Sequence, residues 1–317
     1  MDKRAWLGAA AGGGLAVGWW AVRRSREQDL RGRVAVVTGG SRGLGYRLAD
    51  LLARAGCSIA ICSRGSHEIK EAGLKLAGYG VPVLARAVDV SDPVAVTEFI
   101  GEIEQHFGRI DILVNNAGII QAGPVEEMAL HDFRQAMDID FWGVVYGTRA
   151  ALPGMRLRGE GTIVNITSIG GEISVPHMLP YSCAKAAARA YSEGMSAELE
   201  RTGVKVVTVV PWLMRTGSAP YVFYKGNVEA EMAMFEAGLA VALSVDADRA
   251  ARRIVKGIRR RERRVTIGIA AKLAREAHAL APGLLSRAFG LMTRFMPKPT
   301  GNRPSMAVRG TTLQVGS

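Results

Sequence analysis

The chain has 317 residues, of which 48% are hydrophobic and 22% charged. This balance excludes global disorder and allows one large α/β domain or two smaller domains. Its three cysteines are too few and too scattered for a disulfide framework or a zinc site, so no metal is expected. The net charge of +12 is uneven, since residues 32–248 carry 19 basic and 24 acidic side chains whereas residues 249–317 carry 16 and 2. The basic excess belongs to the ends of the chain and specifies no chemistry by itself.

Residues 5–22 form an uncharged run with basic residues on both sides. As a helix this run nearly spans the roughly 30 Å hydrocarbon core of a bilayer, and tryptophans lie near both of its ends. We therefore predict that residues 1–31 form a transmembrane anchor. The arginines that follow the run place the rest of the chain in the cytoplasm. A cleaved signal peptide and a soluble or interfacial segment are the alternatives.

From residue 33 onward, short β-branched runs alternate with helical patterns. This alternation is typical of an α/β fold with a doubly wound, Rossmann-like parallel sheet covered by helices on both faces. We expect a single domain over residues 32–268, with ligand sites at the carboxyl ends of the strands. The predicted strands are 33–37, 58–62, 82–87, 110–114, 161–166, 204–210 and 263–267, and the predicted helices are 43–55, 67–78, 92–107, 131–157, 181–202 and 246–260.

A glycine-rich segment joins the first predicted strand to the first predicted helix. Its glycines permit a tight turn and the close approach of a pyrophosphate, and the start of the helix supplies N–H donors. The position between strand and helix makes the motif far more specific than its glycines alone. The residues predicted to bind the dinucleotide here are Gly39, Ser41, Arg42, Gly43, Leu44 and Gly45.

The TGxxxGxG spacing resembles that of the short-chain dehydrogenase/reductase family, and further family-like motifs follow in the expected order. They are Asp89-Val90, Asn115-Asn116-Ala117-Gly118, Ser168, and Tyr181 with Lys185. The resemblance covers about residues 32–268 and implies an oxidoreductase that interconverts an alcohol and a carbonyl. It also implies that Asp89 and Val90 flank the adenine, that Asn116, Ala117 and Gly118 line the adenosine ribose, and that Thr216 contacts the nicotinamide.

Tyr181 and Lys185 lie four residues apart, so they share one helix face. A nearby ammonium favours the phenolate and lowers the pKa of a tyrosine, which can then exchange a proton with a carbonyl oxygen. The resemblance assigns Tyr181 as acid–base group, Lys185 as its activator and a ligand of the nicotinamide ribose, and Ser168 as partner of the reacting oxygen. Tyr221 and Lys225 show the same spacing but lack a serine at a strand end.

Two positions depart from the family pattern. Asp140 stands where the family usually has an asparagine that supports a proton relay. We keep Asp140 as a catalytic candidate, although its charge is expected to raise the pKa of the tyrosine. Pro211 is followed by Trp212 instead of the usual glycine, and the indole is expected to narrow the nicotinamide end or to form a pocket wall.

The second strand ends in Ser63-Arg64, without the carboxylate that commonly binds the ribose hydroxyls in NAD-dependent enzymes. Arg42 and Arg64 offer guanidinium donors that suit a 2′-phosphate. The sequence therefore predicts NADP(H) as the cofactor, with NAD(H) as the alternative.

Residues 212–243 are rich in methionine and aromatic side chains. They form either an apolar substrate pocket or a lid core or dimer contact. Residues 249–264 carry nine basic side chains, which form a solvated helix face or attract anionic lipid, and no aromatic residue interleaves them as expected for nucleic-acid binding. Residues 269–317 are predicted to be a basic amphipathic tail. Within it, 281–297 forms a helix at a membrane surface or over the pocket, and 298–317 is disordered.

Together these features predict a membrane-anchored, NADP(H)-dependent enzyme that acts on a lipophilic alcohol or carbonyl compound. The resemblance implies a homodimer or homotetramer, membrane lipids are the other expected partner, and no nucleic acid is expected. A soluble reductase of ordinary metabolites is one alternative. A cofactor-binding sensor or scaffold with little catalysis is another, suggested by Asp140 and Trp212.

Overall fold

The computed structural model describes residues 27–240, 244–301 and 306–311. The predicted anchor over residues 5–22 lies outside these residues. Within the described ranges, no helix combines the length and the apolar character needed to cross a bilayer.

The centre of the molecule is a parallel sheet whose inner strands are rich in β-branched residues and buried on both faces, whereas its edge strands are partly exposed. Its strands are β1 (Val34–Thr38), β2 (Ser58–Ser63), β3 (Val83–Ala87), β4 (Ile112–Asn115), β5 (Gly161–Ile166), β6 (Val204–Pro211) and β7 (Arg264–Ile267). They are ordered β7-β6-β5-β4-β1-β2-β3. The order reverses between β1 and β4, which opens a crevice at the carboxyl ends of these strands. All seven predicted strands are present, with small shifts at their ends.

Helices cover both faces of the sheet, as predicted. They are α1 (Gly43–Arg54), α2 (Ser66–Ala77), α3 (Pro93–Phe107), α4 (Leu130–Met137), α5 (Gly143–Arg158), α6 (Leu179–Glu198), α7 (Val228–Ala240), α8 (Ala247–Arg259), α9 (Ile269–Leu280) and α10 (Pro282–Met292). Side chains of α1, α2 and α8 form the core on one face, and those of α3 and α5 form the core on the other.

The helix predicted over residues 131–157 is interrupted. A π-helical turn, Asp138–Trp142, separates α4 from α5. Such a turn inserts one residue into the helical repeat and is frequent at functional sites. Here it carries Asp140, which is fully buried.

The carboxyl-terminal part of the chain is more ordered than predicted. Helices α7 and α9 were not among the predicted helices, while α10 lies within the predicted amphipathic segment. The expectation of disorder over 298–317 is wrong for one segment, because Val308 and Arg309 pair antiparallel with Tyr224 and Phe223. This pairing belongs to a small second sheet that also includes residues 121–122.

Candidate active site

The glycine loop follows β1. Two physical reasons require glycine at its three motif positions, a positive φ angle at Gly39 and Gly43 and close packing at Gly45. Gly39 and Gly43 adopt φ values of +65° and +56°, which side chains other than glycine rarely tolerate. A Cβ at Gly45 would collide with the carbonyl oxygen of Gly39. A Cβ at Gly43 would lie 3.8 Å from Thr216, at ordinary van der Waals contact, so the positive φ and not a collision is what favours glycine there.

Asn116 fastens the glycine loop to the neighbouring strand. Its Nδ2 donates to the carbonyl oxygens of Thr38 at 3.0 Å and Gly39 at 3.3 Å. In return, the Thr38 hydroxyl accepts from the backbone N–H groups of Asn116 and Ala117, each at 3.0 Å. These bonds join the carboxyl ends of β1 and β4. They therefore fix the shape of the crevice that opens between these two strands.

One cavity of about 860 Å³ runs along the carboxyl edge of the sheet. All the residues predicted to bind the cofactor line this cavity, as do Ser168 and Trp212. The cofactor-binding candidates that it brings together are Gly39, Ser41, Arg42, Gly43, Leu44, Gly45, Arg64, Asp89, Val90, Asn116, Ala117, Gly118, Tyr181, Lys185 and Thr216. Asp140 is not among its lining residues.

Ser168, Tyr181 and Lys185 converge in the middle of this cavity. Ser168 follows β5 directly, and the other two residues lie in the first turns of α6. The Ser168 Oγ accepts from the backbone N–H of Gly170 at 3.0 Å, and its hydroxyl lowers the pKa of the Tyr181 phenol. The Lys185 Nζ donates to the carbonyl oxygen of Ile166 at 3.2 Å and lies 5.8 Å from the centre of the Tyr181 ring. A phenol, an ammonium and a hydroxyl therefore face one reaction space.

The electrostatic environment of Tyr181 is a balance of opposing effects. Burial raises the pKa of its phenol, and Lys185 and the Ser168 hydroxyl lower it, while the nearby Asp140 raises it. The net direction is upward from the ordinary value. Because the phenol is protonated at neutral pH, it is able to act there as an acid toward a carbonyl oxygen.

Asp140 acts on the site from behind Lys185. Its Oδ1 accepts from the backbone N–H of Ile119 at 3.0 Å and lies 3.4 Å from the Lys185 Nζ. Burial raises the pKa of this carboxyl to about 6, against the attraction of Lys185. A Cβ at Gly118 would collide with the same oxygen, so glycine is required there. Asp140 is not among the residues that line the cavity and contacts Lys185 instead, and its role as a catalytic residue stays a prediction.

Trp212 forms a wall of the cavity, one of the two arrangements expected for it. It packs in a cluster with Ile173 and Ala271, and Leu285 and Phe289 of α10 pack against the same cluster. Phe235 and Leu239 of α7 also line the cavity. The far half of the cavity is therefore enclosed by apolar side chains from α7, α9 and α10.

The second tyrosine–lysine pair does not form a second catalytic centre. The Lys225 Nζ is buried and lies 2.6 Å from the Asp132 Oδ2, so it is engaged in an ion pair. Tyr221 lines the cavity, and the Arg42 guanidinium lies 3.7 Å from the centre of its ring. Arg42 is thus held beside the glycine loop by a cation–π contact.

Two charged lining residues were not predicted from the sequence. The carboxylate of Glu68 folds back over Gly65 beside Arg64, so an acidic group is present near the ribose end after all. Its place in the first turn of the helix after β2 is a signal that was available in the sequence. Arg309 lines the cavity from the carboxyl-terminal segment. The local sequence does not predict that Arg309 lines the cavity, because its position depends on long-range strand pairing.

Known proteins that are similar to this chain are dehydrogenases and oxidoreductases. The short chain dehydrogenase family model matches residues 33–224. The chain is 36% identical over 192 residues to the mouse dehydrogenase/reductase SDR family member 7B, a match that spans 59% of each chain. It is 33% identical over 248 residues to the oxidoreductase SadH of Mycobacterium tuberculosis, covering 77% of this chain and 89% of that protein.

A solved structure shows the same fold. It is that of a short-chain dehydrogenase/reductase from Burkholderia phymatum in complex with NAD, with a TM-score of 0.75 and 22% identity over 81% of this chain and 96% of that chain. The protein described here belongs to the short-chain dehydrogenase/reductase family. It is an oxidoreductase that acts on CH–OH groups with a nicotinamide dinucleotide as cofactor and a small molecule as substrate.

Proposed function

We propose that the protein is an NADP(H)-dependent reductase of a lipophilic carbonyl compound, with Tyr181 as the general acid. One observation carries the proposal: a single cavity joins the glycine loop to Ser168, Tyr181 and Lys185, and its other half is walled by apolar side chains. The reaction converts a carbonyl compound, NADPH and a proton into an alcohol and NADP⁺, and the same groups serve the reverse direction.

The cofactor, when bound, supplies or accepts the hydride. Ser168 donates a hydrogen bond to the carbonyl oxygen of the substrate, where negative charge develops. Tyr181 gives its phenolic proton to the same oxygen. Lys185 stabilises the resulting phenolate through its charge, and Asp140 keeps the lysine in place from the buried side. In oxidation, the phenolate removes the proton from the alcohol.

The preference for NADP(H) rests on the charges at the adenosine end of the cavity. Two guanidinium groups, those of Arg42 and Arg64, line this end together with the carboxylates of Glu68 and Asp89, and the Asp89 Oδ1 already accepts hydrogen bonds from Ser91. Two positive groups favour a 2′-phosphate, whereas the Glu68 carboxylate is suited to the free ribose hydroxyls of NAD(H).

Paired variants test this assignment. Arg64→Asp is expected to lower kcat/KM for NADPH and to leave that for NADH unchanged or higher. Glu68→Gln is expected to do the opposite, because it removes the group that repels the phosphate. Equal effects of each variant on both cofactors would refute the role of these side chains in the choice.

The substrate class and the sensor alternative are tested by a ketone panel with purified protein in detergent. We expect turnover of bulky apolar ketones with NADPH and little turnover of short polar ketones. Preference for the polar ketones would support a soluble metabolite reductase. Tight NADPH binding without turnover across the panel would support a cofactor-binding sensor instead.

The membrane anchor over residues 5–22 and a cytoplasmic catalytic domain remain part of the proposal. The described chain begins at Glu27, which lines a groove of about 520 Å³ together with Arg252, Lys256 and Arg259 of α8. None of these three cations has an ion-pair partner among the described residues, and their spacing places them on one helix face. Such a face beside the start of the domain suits anionic lipid headgroups.

Vesicle flotation of the full chain tests the lipid contact. Replacing Arg252, Lys256 and Arg259 by glutamine is expected to remove the preference for phosphatidylglycerol over phosphatidylcholine vesicles while anchoring is retained. An unchanged preference would contradict a role of this groove. Complete recovery of the wild-type chain in the aqueous fraction would contradict the anchor.

A further inference from the structure

The cavity contains one charged side chain that the reaction and the cofactor motifs do not use. At the adenosine end the charged lining residues are those discussed above and Asp89, and at the centre there is Lys185. The remaining charged residue among the described lining residues is Arg309. The apolar side chains that line the same cavity include Phe223, Phe235, Leu239 and Met292.

The fold places Arg309 through a tightly fitted strand. Arg309 pairs with Phe223 in the antiparallel register of the small sheet, and the next residue, Gly310, donates its N–H to the carbonyl oxygen of Val222 at 3.3 Å. A Cβ at Gly310 would lie 2.8 Å from the carbonyl oxygen of Ala219 and 2.9 Å from the Cα of Pro220. Glycine at position 310 therefore allows this strand to pack closely against Ala219 and Pro220, and this packing places Arg309 at the cavity.

The guanidinium of Arg309 contacts an aromatic ring and forms no hydrogen bond with another residue that the structure describes. It lies 4.8 Å from the centre of the Phe223 ring. Within the part of the chain that the structure describes, it forms no ion pair with a carboxylate. Arg309 is exposed to solvent and lines the cavity, and a planar guanidinium binds a carboxylate in bidentate fashion.

We infer that Arg309 binds an anionic group of the substrate, so that the substrate class is a lipophilic oxo acid or the corresponding hydroxy acid. The inference rests on the proposed function, because it assigns one end of the same cavity. The apolar wall would hold the hydrocarbon part, the group at Ser168 and Tyr181 would be the carbonyl, and the carboxylate would lie at Arg309.

The test compares acids with their esters in ligand binding as well as in turnover. The probes are ω-benzoyl carboxylates of increasing chain length and their methyl esters, which differ only in the charge. With NADPH and the wild-type enzyme, we expect at least one acid to have a higher kcat/KM than its ester. Arg309→Gln is expected to lower kcat/KM for that acid by about 10- to 100-fold and to leave the ester unchanged. Arg309→Lys should retain an intermediate part of the preference.

Arg201→Gln is the matched control, since Arg201 is an exposed arginine outside the cavity. An equal loss for acid and ester in Arg309→Gln would show a structural role and overturn the inference. A raised KM for NADPH with an unchanged acid-to-ester ratio would show that the guanidinium binds a cofactor phosphate, which also overturns it.

Calorimetry separates this inference from the proposed catalysis. In the Tyr181→Phe protein with NADPH present, the acid should bind more tightly than the ester, and Arg309→Gln should abolish the difference. If the wild type turns over none of the probes while this binding pattern holds, the proposed reaction fails and the anion site stands. If the acid binds no more tightly than the ester, the anion site fails whatever the turnover.

Discussion

At the scale of single residues, the least expected feature is a buried carboxylate behind the catalytic lysine. Asp140 has no exposed surface, and only one of its oxygens has hydrogen-bond and ion-pair partners among the described residues. It is close enough to Lys185 to offset part of the charge that lowers the pKa of Tyr181. The aspartate therefore tunes the acid–base group without touching the substrate.

Asp140→Asn is expected to move the ascending limb of the pH profile of alcohol oxidation, where activity rises with pH, to lower pH. Oxidation requires the Tyr181 phenolate, and Asp140 raises the pKa of that phenol by its negative charge. Removing the charge therefore lowers the pKa, and turnover is retained or increased. The measurement is kcat/KM against pH, with Asp138→Asn, an exposed aspartate on the same π-helical turn, as control. A limb that stays in place, or one that moves equally in the control, would contradict this account.

The same carboxyl has a consequence for stability. Its folded-state pKa is raised to about 6, so the native state holds the proton more tightly than the unfolded chain does. The stability that this group contributes is present below its unfolded pKa and is lost as pH rises through about 6. In urea unfolding, Asp140→Asn should gain stability relative to wild type between acidic and neutral pH. A difference that is independent of pH would disprove the linkage.

At the scale of elements, a chain of buried polar side chains ties the site's strands to its helix. Asn115 of β4 donates to Asn165 of β5 at 2.8 Å, and Asn165 donates to Ser192 of α6 at 3.0 Å. Ser192 and Thr208 of β6 are hydrogen-bonded at 2.7 Å. Because α6 carries Tyr181 and Lys185 and β5 leads into Ser168, this chain fixes their relative positions.

Asn165→Ala is expected to reduce the free energy of unfolding by about 2–3 kcal/mol, since it removes two buried hydrogen bonds, those with Asn115 and Ser192. The variant keeps every cavity-lining side chain, so the residual folded protein should bind NADPH normally. The measurement is urea unfolding together with NADPH fluorescence titration. A loss below about 0.5 kcal/mol would mean that the chain of bonds is not cooperative.

How far the elements could be predicted from the sequence depends on their periodicity. Strands such as β6 are continuous β-branched runs, and helices such as α1 follow a strand and a glycine loop. Both kinds of element can therefore be predicted from the local sequence. The π-helical turn could not be predicted, since its sequence pattern does not differ from that of an α-helix. The strand at 308–309 could not be predicted either, because its pairing with 223–224 is set by the tertiary fold.

The residues of the candidate site likewise fall into those that the sequence predicts and those that it does not. Residues within motifs, such as Ser168 and Tyr181, were predicted together because the family order places them on adjacent elements. The position of Asp140 behind the lysine and the reach of Arg309 to the cavity depend on packing, which spacing does not encode. Glu68 was overlooked because it follows β2 by several residues and returns to the strand end by a helix turn.

At the scale of the whole molecule, the proposed homo-oligomer has a candidate interface on the helix face away from the cavity. Trp142, the last residue of the π-helical turn before α5, is 41% exposed. It stacks on Tyr146 with ring centres 5.8 Å apart, and Phe141 contacts Tyr191 of α6. A solvent-facing aromatic cluster of this size suits the centre of an interface.

Trp142→Glu is expected to convert the oligomer to a monomer, because a carboxylate in the centre of an apolar interface is desolvated without a partner. Size-exclusion chromatography with light scattering in detergent gives the mass. Leu74→Glu, on the exposed face of α2, is the matched control and should leave the mass unchanged. An unchanged mass for Trp142→Glu would place the interface elsewhere.

The groups that face each other in the cavity make one experiment more direct than the others. With a ketone that the wild-type enzyme reduces, Tyr181→Phe should lower kcat with NADPH by at least about a thousandfold. The affinity for NADPH, measured by fluorescence, should change by no more than about twofold, since the ring and Lys185 remain. Reduction at a near wild-type rate by the phenylalanine variant would contradict the assignment of Tyr181 as the proton donor.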